Sequence, residues 1–439
     1  MKDRASPLKS EPVGSGASHL ALTILFLVVT LNLFDRQLIN ILAQDIKVDL
    51  HLSDAELGLV TGTAFGLLKA LFSIPVGAWA DRSDRGRILG ALVGVFSAFT
   101  LLSGAASNFV GLVLARMGVG LGESATVPVA TAIVRERYPQ RATSALAIAM
   151  AGNPVGSFLA FLIGGLIAER WGWRWAFLVA GPPGLLLAWM ALANLGSRDP
   201  PLRSQEPWRA WPREALGLVG RPHLKPLIFA TAGSMFMVSA TNAWMPAYLI
   251  RMHGLTTAEA GFQVAIAVGL GGALGAASGM SCDWIRSRLW RPESAMMVAT
   301  LLLATPFLGL MIFGGTLAAA LGAYFIYNML AYAWLAPTIR LIQDAVEPSQ
   351  RSLALSICSA VAIFLGLGLG IPAVGWISDL LTPTYGPLAL GISLCLVVAL
   401  AIAISLASHI HILRTANRPP ADSDKSLSPF GKHGIRSKS

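Results

Sequence analysis

Charged residues are scarce in this sequence. Asp, Glu, Lys and Arg make up 13% of its 439 residues, and the mean hydropathy is +0.63. Soluble globular proteins carry about 25% charged residues. The deficit comes from long apolar stretches that are separated by short polar ones. A soluble globular domain is therefore excluded, and a helical protein that crosses a membrane several times is predicted.

Cysteines and catalytic sequence patterns are also few. The three cysteines, Cys282, Cys358 and Cys395, lie in apolar stretches, are odd in number and lack metal-type spacing. The chain contains no Gly-x-x-x-x-Gly-Lys-Ser/Thr phosphate loop, and no nucleophile with a nearby base is recognisable. No metal and no cofactor are predicted, and a membrane enzyme or an ATP-driven pump built on that loop is disfavoured.

Twelve apolar runs account for most of the chain, each long enough to cross about 30 Å of hydrocarbon as an α-helix. The runs are 19–43, 56–80, 88–107, 109–134, 142–168, 174–196, 226–250, 258–282, 294–314, 316–340, 352–378 and 386–411. The first of them lacks the short apolar region and cleavage site of a signal peptide, so we expect it to be retained.

Basic residues follow a strongly one-sided distribution along these twelve runs. With the N-terminus on the inner side, 26 of the 33 Lys and Arg residues fall in the inner loops and the two tails. This asymmetry places both termini in the cytoplasm and predicts an inner (cell) membrane location. It also explains the formal net charge of +10 without any nucleic-acid partner.

A proline- and arginine-rich stretch divides the chain into two six-helix halves that repeat each other. The repeat is carried by Arg141 and Arg351, Gly165 and Gly375, and Glu169 and Asp379. In both halves the glycine lies 24 residues after the arginine, and the acid lies 28 residues after the arginine. Twenty-eight residues correspond to about 42 Å of helix. The predicted fold class is all-α, with twelve transmembrane helices in two pseudo-symmetric bundles, as in alternating-access carriers.

The predicted domains follow from this division. They are an N-terminal tail (1–18), an N-terminal bundle (19–196), a linker (197–223), a C-terminal bundle (224–412) and a C-terminal tail (413–439).

Several short motifs resemble those of a known family. They are GAWADRSDRGR (77–87), the pair Asp35-Arg36, RMGVGLGE (116–123), GWRWAF (172–177) and GLGLGIPAVGWISD (366–379). The first resembles the loop signature of the major facilitator superfamily, and the others resemble its spinster-like branch, over nearly the whole chain. Lys69 departs from the aromatic residue expected there, and Asp84 and Gly86 depart from the usual loop pattern.

Asp35 and Arg36 lie inside the first apolar run, where an isolated charge costs about 2.5–3.5 kcal/mol. Arg116 and Glu123 are seven residues apart and therefore share a helix face, so they can neutralise this pair. In the family, residues at the positions of Asp35, Arg116 and Glu123 are implicated in proton coupling, and we predict this role for these three residues together with Arg36. The alternative is an ion-pair cluster that only stabilises the N-terminal half.

Lys69 lies about 18 Å from the inner end of its helix. It is predicted either to complete the charge cluster or to contact an anionic substrate, and the two alternatives stay open.

Gating is predicted for Asp81, Arg82, Arg85 and, in the second half, Asp283. Asp81 is expected to face the N-terminus of the eleventh helix, a contact worth about 0.3–1 kcal/mol when exposed. The alternative is a solvated loop that only sets the topology.

The resemblance implies that the seventh and tenth helices line the substrate cavity. The candidate substrate-binding residues there are Asn242, Trp244, Tyr248, Tyr327, Asn328 and Tyr332. For any one of these residues, packing inside the bundle is the competing interpretation.

The function these features favour is secondary active transport by alternating access, coupled to protons. The resemblance implies an amphipathic substrate such as a lysophospholipid or a sphingolipid-like molecule. An organic-anion or drug transporter and a proton-independent facilitator remain alternatives. The expected partners are a small organic or lipid-like substrate, protons and membrane lipids, and the protein is expected to be a monomer.

Overall fold

The computed structural model of the protein describes residues 15–80, 82–196, 217–278, 292–347 and 350–415. Within these residues the chain forms twelve long helices, which confirms the predicted fold class. The helices are α1 (Ser15–Leu50), α2 (54–80), α3 (Arg85–Gly104), α4 (Phe109–Arg137), α5 (Ala142–Trp171), α6 (Trp173–Asn194), α7 (Lys225–His253), α8 (Thr257–Ser278), α9 (Pro292–Phe313), α10 (Leu317–Asp344), α11 (351–385) and α12 (Leu388–Thr415). Asp81, Asp283, most of the linker and the outer parts of both tails lie outside the described residues.

Eleven of these helices are long and apolar enough to cross a membrane. The other, α7, is 29 residues long and carries more polar side chains in its middle, among them Thr241 and Asn242. A helix of that length spans about 43 Å and is long enough to cross as well.

The two halves are joined along three helix pairs. Within the halves, α1 packs on α5 and α3 on α6, while α7 packs on α12 and α9 on α10. Between the halves, α5 packs on α8, α2 on α11, and α1 on α7. The end of the bundle that carries residues 50–54, 171–173, 253–257 and 385–388 is called the distal end below. The opposite end, with the start of α1 and the end of α12, is called the tail end.

Three helices at the interface between the halves contain a π-helical turn. These turns are Leu59–Thr63 in α2, Ala267–Gly271 in α8 and Phe364–Gly370 in α11. The turns of α2 and α11 contact each other, and the Thr63 hydroxyl donates to the Gly368 carbonyl oxygen at 2.6 Å. Such turns occur often at functional sites, because they free backbone groups from the helical pattern.

Candidate functional site

Five charged side chains from α1, α2 and α4 form one cluster inside the N-terminal half. Arg116 Nη1 lies 3.2 Å from Asp35 Oδ2. Glu123 Oε2 accepts hydrogen bonds from Arg36 Nη2 at 2.9 Å and from Lys69 Nζ at 2.8 Å. The structure therefore brings together the four residues predicted for proton coupling and places Lys69 with them.

The cluster is shielded from solvent except at one member. Asp35, Arg116 and Glu123 are at most 1% exposed and Lys69 is 7% exposed, whereas the Arg36 side chain is 21% exposed. The ion pairs compensate the cost of placing these charges inside a membrane-spanning bundle. With every group ionised, three cations face two carboxylates, so the cluster carries one excess positive charge.

Uncharged residues that sequence analysis did not single out complete the cluster. The Thr100 hydroxyl donates to Asp35 Oδ1, and Asn32 Oδ1 accepts from Arg36 at 3.1 Å. Three cationic groups lie within 5.0–5.6 Å of the Phe65 ring centroid, at Arg36, Lys69 and Arg116. The negative face of an aromatic ring attracts cations. No charge or spacing in the sequence marks these three residues.

The close approach of α4 to α2 brings Glu123 within reach of Lys69. A Cβ atom added at Gly120 would lie 2.3 Å from the Phe65 carbonyl oxygen. Only a glycine allows the two helix backbones to come so near at this level.

Replacing Gly120 by alanine is therefore expected to push α4 away from α2 and to destabilise the protein by about 1–3 kcal/mol. The measurement is the melting temperature of the purified protein in detergent. Gly309→Ala on α9 is the matched control, because nothing lies within 4 Å of a Cβ atom added there. Equal melting temperatures for the two variants would contradict this account of the α2–α4 contact.

Three side chains in the C-terminal half form a hydrogen-bonded chain, one end of which is near the cluster. Asn242 on α7 accepts from the Tyr324 hydroxyl at 3.0 Å and donates to the Tyr332 hydroxyl oxygen at 2.9 Å. Tyr332, on α10, is partly exposed and lies within electrostatic range of Arg36. Two of the candidate substrate-binding residues, Asn242 and Tyr332, are thus hydrogen-bonded to each other, and Tyr332 is the one within electrostatic range of Arg36.

The other four aromatic and amide candidates are engaged inside the bundle. The Trp244 indole donates to the Ile371 carbonyl at 2.9 Å, and the Tyr248 hydroxyl donates to the Ile312 carbonyl at 2.8 Å. The side chains of Tyr327 and Asn328 also donate to backbone carbonyls, at 3.3 Å and 3.0 Å. All four are at most 1% exposed, so in this conformation they pack helices together.

An ionic network closes the distal end between the halves. Asp54, at the start of α2, receives two hydrogen bonds from Arg251 at 2.7 and 2.8 Å and one from the Ser378 hydroxyl at 2.7 Å. Lys47 pairs with the same carboxylate, and Arg251 also donates to Gln44 at 2.7 Å. The shared Asp54 carboxylate is 1% exposed and therefore shielded from solvent, and the network joins α1 and α2 to α7 and α11.

The repeated acids Glu169 and Asp379 each cap a helix of the opposite half. Asp379 accepts from the backbone N–H groups of Asp54 and Ala55 at 2.9 and 2.8 Å. Glu169 accepts from the N–H group of Ala258 on α8 at 2.9 Å. Carboxylates at helix N-termini neutralise unpaired donors and the positive end of the helix dipole. The two caps therefore hold the distal end closed in a pseudo-symmetric way.

The repeated glycines allow these caps to form. A Cβ atom added at Gly375 would lie 2.1 Å from the Asp54 carbonyl oxygen, and one added at Gly165 would lie 2.8 Å from that of Thr257. The start of α2 therefore rests directly on α11, and the start of α8 rests on α5. Next to the second contact, the Thr257 hydroxyl donates to Asp45 of α1 at 3.0 Å.

At the tail end, one ion pair in each half joins neighbouring helices among the described residues. Arg85 pairs with Glu136 between α3 and α4. Arg340 Nε lies 3.3 Å from Glu293 Oε1 between α10 and α9. Arg85, a predicted gating residue, is therefore tied to its own half in this conformation. Arg82 lies in the loop before α3, and Asp81 and Asp283 lie outside the described residues.

The sequence profile of the Major Facilitator Superfamily matches residues 25–357 of the chain. The chain belongs to this superfamily. An MFS-type efflux pump of Mycolicibacterium smegmatis is 32% identical to it over 405 residues, which cover 88% of this chain and 90% of the pump. A sphingosine-1-phosphate transporter of Xenopus tropicalis is 26% identical over 395 residues, covering 83% of this chain and 74% of that protein.

The fold is similar to that of a bacterial homologue of the lysosomal transporter spinster, solved in an inward-facing and occupied conformation. The TM-score is 0.78 at 26% identity, and the match covers 92% of this chain and 98% of the other. These findings confirm the resemblance to the spinster-like branch. The protein is a multi-pass membrane transporter of the major facilitator fold, and it is not an enzyme.

Proposed function

We propose that this transporter couples the movement of an anionic, amphipathic organic solute to protons by alternating access. The observation that carries the proposal is the buried cluster of Asp35, Arg36, Lys69, Arg116 and Glu123. Ionisable groups inside a membrane-spanning bundle are costly and serve proton or substrate pathways by default. A change of protonation there changes which ion pairs form and thereby the contacts of α1, α2 and α4.

The excess positive charge of the cluster supports an anionic substrate. Arg36 is its partly exposed member, and Tyr332, which lies within electrostatic range of it, has a hydroxyl group that can donate a hydrogen bond. An arginine and a hydroxyl donor together suit a phosphate or carboxylate group. Sphingosine-1-phosphate, named for one of the relatives, combines such a group with an apolar chain.

The ionic network and the two caps at the distal end serve as the gate of this cycle. We place the tail end in the cytoplasm and the protein in the inner membrane, because most Lys and Arg residues lie in the loops and tails on that side. In this proposal the structure is the inward-facing state, and the protein works as a monomer. Opening of the distal end requires that Asp54 part from Arg251.

The decisive experiment measures proton flux in proteoliposomes that contain a pH-sensitive dye. The vesicles are challenged with lysophosphatidate, an organic carboxylate and a cationic drug, with protein-free vesicles as the control for leakage. We expect the anionic compounds to trigger proton movement in the wild type and not in Asp35→Asn. Asp49→Asn is the matched control, because Asp49 forms an ion pair with Arg174 that is partly exposed and away from the cluster.

Two outcomes would contradict the proposal. Substrate movement that persists without a proton gradient and survives Asp35→Asn would indicate a facilitator. Flux triggered only by the cationic drug would favour drug efflux, the second candidate function. That candidate rests on the similarity to the mycobacterial efflux pump.

A further inference from the structure

Lys69 distinguishes the charge cluster from a balanced set of ion pairs. The two carboxylates of Asp35 and Glu123 neutralise two of the three cations, and the third remains uncompensated. An uncompensated charge in a buried site is strongly unfavourable. The cluster therefore needs either the loss of one proton or the arrival of one negative charge.

Among the cations, only Lys69 can lose a proton. The guanidinium groups of Arg36 and Arg116 stay protonated in proteins, whereas a buried lysine exchanges its proton readily. The groups that face Lys69 are Asp35 and Arg36 from α1 and Glu123 from α4. The π-helical turn of α11 that packs against α2, Phe364–Gly370, contains no charged residue.

The anionic group that supplies the negative charge is expected to bind beside Arg36. Its side chain is 21% exposed, and its buried Nε has no hydrogen-bond acceptor among the described residues. Tyr332, from the opposite half, accepts a hydrogen bond from Asn242 and keeps its own proton for a ligand. An anion held between Arg36 and Tyr332 contacts both halves of the transporter.

We propose that Lys69 carries the coupled proton, and that it takes up this proton when an anionic group binds between Arg36 and Tyr332. The inference rests on the proposed function and assigns the proton to this amine instead of a carboxylate. The neutral amine of Lys69 takes one proton from a hydronium ion to become an ammonium ion: one N–H bond forms, one O–H bond of hydronium breaks, and water is left. The cluster is then neutral both when empty and when loaded with a monoanion and a proton.

The consequence for transport is that anion and proton bind together and cross together. A monoanion moves with one proton, and the loaded and empty carriers have equal charge. The anion and the proton therefore move in the same direction, as in a symporter, and transport is insensitive to the membrane potential. A cationic solute has no such compensation and is rejected.

The test uses the purified full-length protein in detergent and three probes with unbranched chains of nearly equal length: decanoate, decanol and decyltrimethylammonium. Calorimetric titrations in two buffers of different ionisation enthalpy, from neutral to alkaline pH, give the number of protons taken up per bound probe. For the wild type we expect decanoate to bind preferentially with uptake of about one proton. Lys69→Arg is expected to bind decanoate without proton uptake, because its cation is permanent.

Lys69→Gln is the second variant. It keeps the test valid if the larger arginine side chain does not fit the buried site of Lys69. It is expected to bind decanoate about tenfold more weakly, again without proton uptake, because the compensating cation is missing. Size-exclusion chromatography and melting temperature verify that both variants are folded.

Proton uptake that persists in Lys69→Arg or Lys69→Gln would assign the proton to another group and overturn the inference, while the proposed function would stand. Binding of decyltrimethylammonium or decanol as tight as that of decanoate, or no binding of decanoate, would also overturn it. The proposed function fails separately, if the wild type in vesicles moves substrate without any proton coupling.

Discussion

Replacement of Glu123 by glutamine is expected to abolish substrate-driven proton movement and to lower the free energy of unfolding by about 3–5 kcal/mol. Glu123 Oε2 is the shared acceptor of Arg36 and Lys69, and its side chain is fully buried. Glutamine keeps the shape and removes the charge, so Arg36 loses its counter-charge, and so does Lys69 whenever it is protonated. The measurements are the melting temperature in detergent and proton flux in vesicles.

Glu136→Gln is the matched control on the same helix. Glu136 pairs with Arg85, but its side chain is 52% exposed, and exposed ion pairs contribute about 0–1 kcal/mol. We expect that control to melt and transport nearly as the wild type does. A double variant, Glu123→Gln with Lys69→Met, restores the formal charge of the cluster to its wild-type value. It is expected to recover about 1–3 kcal/mol of the loss, and strict additivity of the two changes would contradict the shared ion pair.

Replacement of Asp54 by asparagine is expected to open the distal end. The carboxylate of Asp54 is the common partner of Arg251, Lys47 and the Ser378 hydroxyl, and it is shielded from solvent. Loss of one partner of such a buried charge pair costs about 2 kcal/mol or more, which is about a 30-fold shift in the ratio of open to closed states. The shift favours the state with an open distal end, because the contacts of Asp54 with Arg251 and Ser378 form only when the two halves meet there.

The measurement is the distribution of distances between spin labels at Ser107 and Thr384, obtained by double electron–electron resonance. Both residues are exposed at the distal end, one in each half. The native cysteines are replaced first. We expect a new, longer distance to appear in Asp54→Asn and to be absent in the control Asp49→Asn, because Asp49 pairs with Arg174 of its own half. Unchanged distances in Asp54→Asn would show that the network does not control closure.

The helical framework could be predicted from apolar runs alone, but several helix ends could not. The first helix continues to Leu50, seven residues beyond its predicted end. Its last two turns carry Asp45, Lys47 and Asp49, which look like loop residues and are held by partners on other helices. The start of α2 at Asp54 had a local signal, since Ser53 and Glu56 form a capping box.

The charged residues of the candidate site could be predicted from the sequence. Asp35, Arg36, Arg116 and Glu123 stand out because ionisable residues are rare in apolar runs. The distal gate had a weaker signal: the repeat pointed to Glu169 and Asp379 but gave no sign that each acid caps a helix of the other half. The partner of an ion pair far away in sequence, such as Arg251 for Asp54, depends on the tertiary fold and is not encoded in local spacing.

The ion pairs at the tail end have reversed polarity in the two halves. In the N-terminal half α3 carries the arginine and α4 the glutamate, whereas in the C-terminal half α9 carries the glutamate and α10 the arginine. If α3 met α10 while the chain enters the membrane, Arg85 would face Arg340; if α9 met α4, Glu293 would face Glu136. Both wrong encounters are repulsive. We expect this repulsion, which is as small as the energy of an exposed ion pair, to disfavour the exchange of helices between the two bundles.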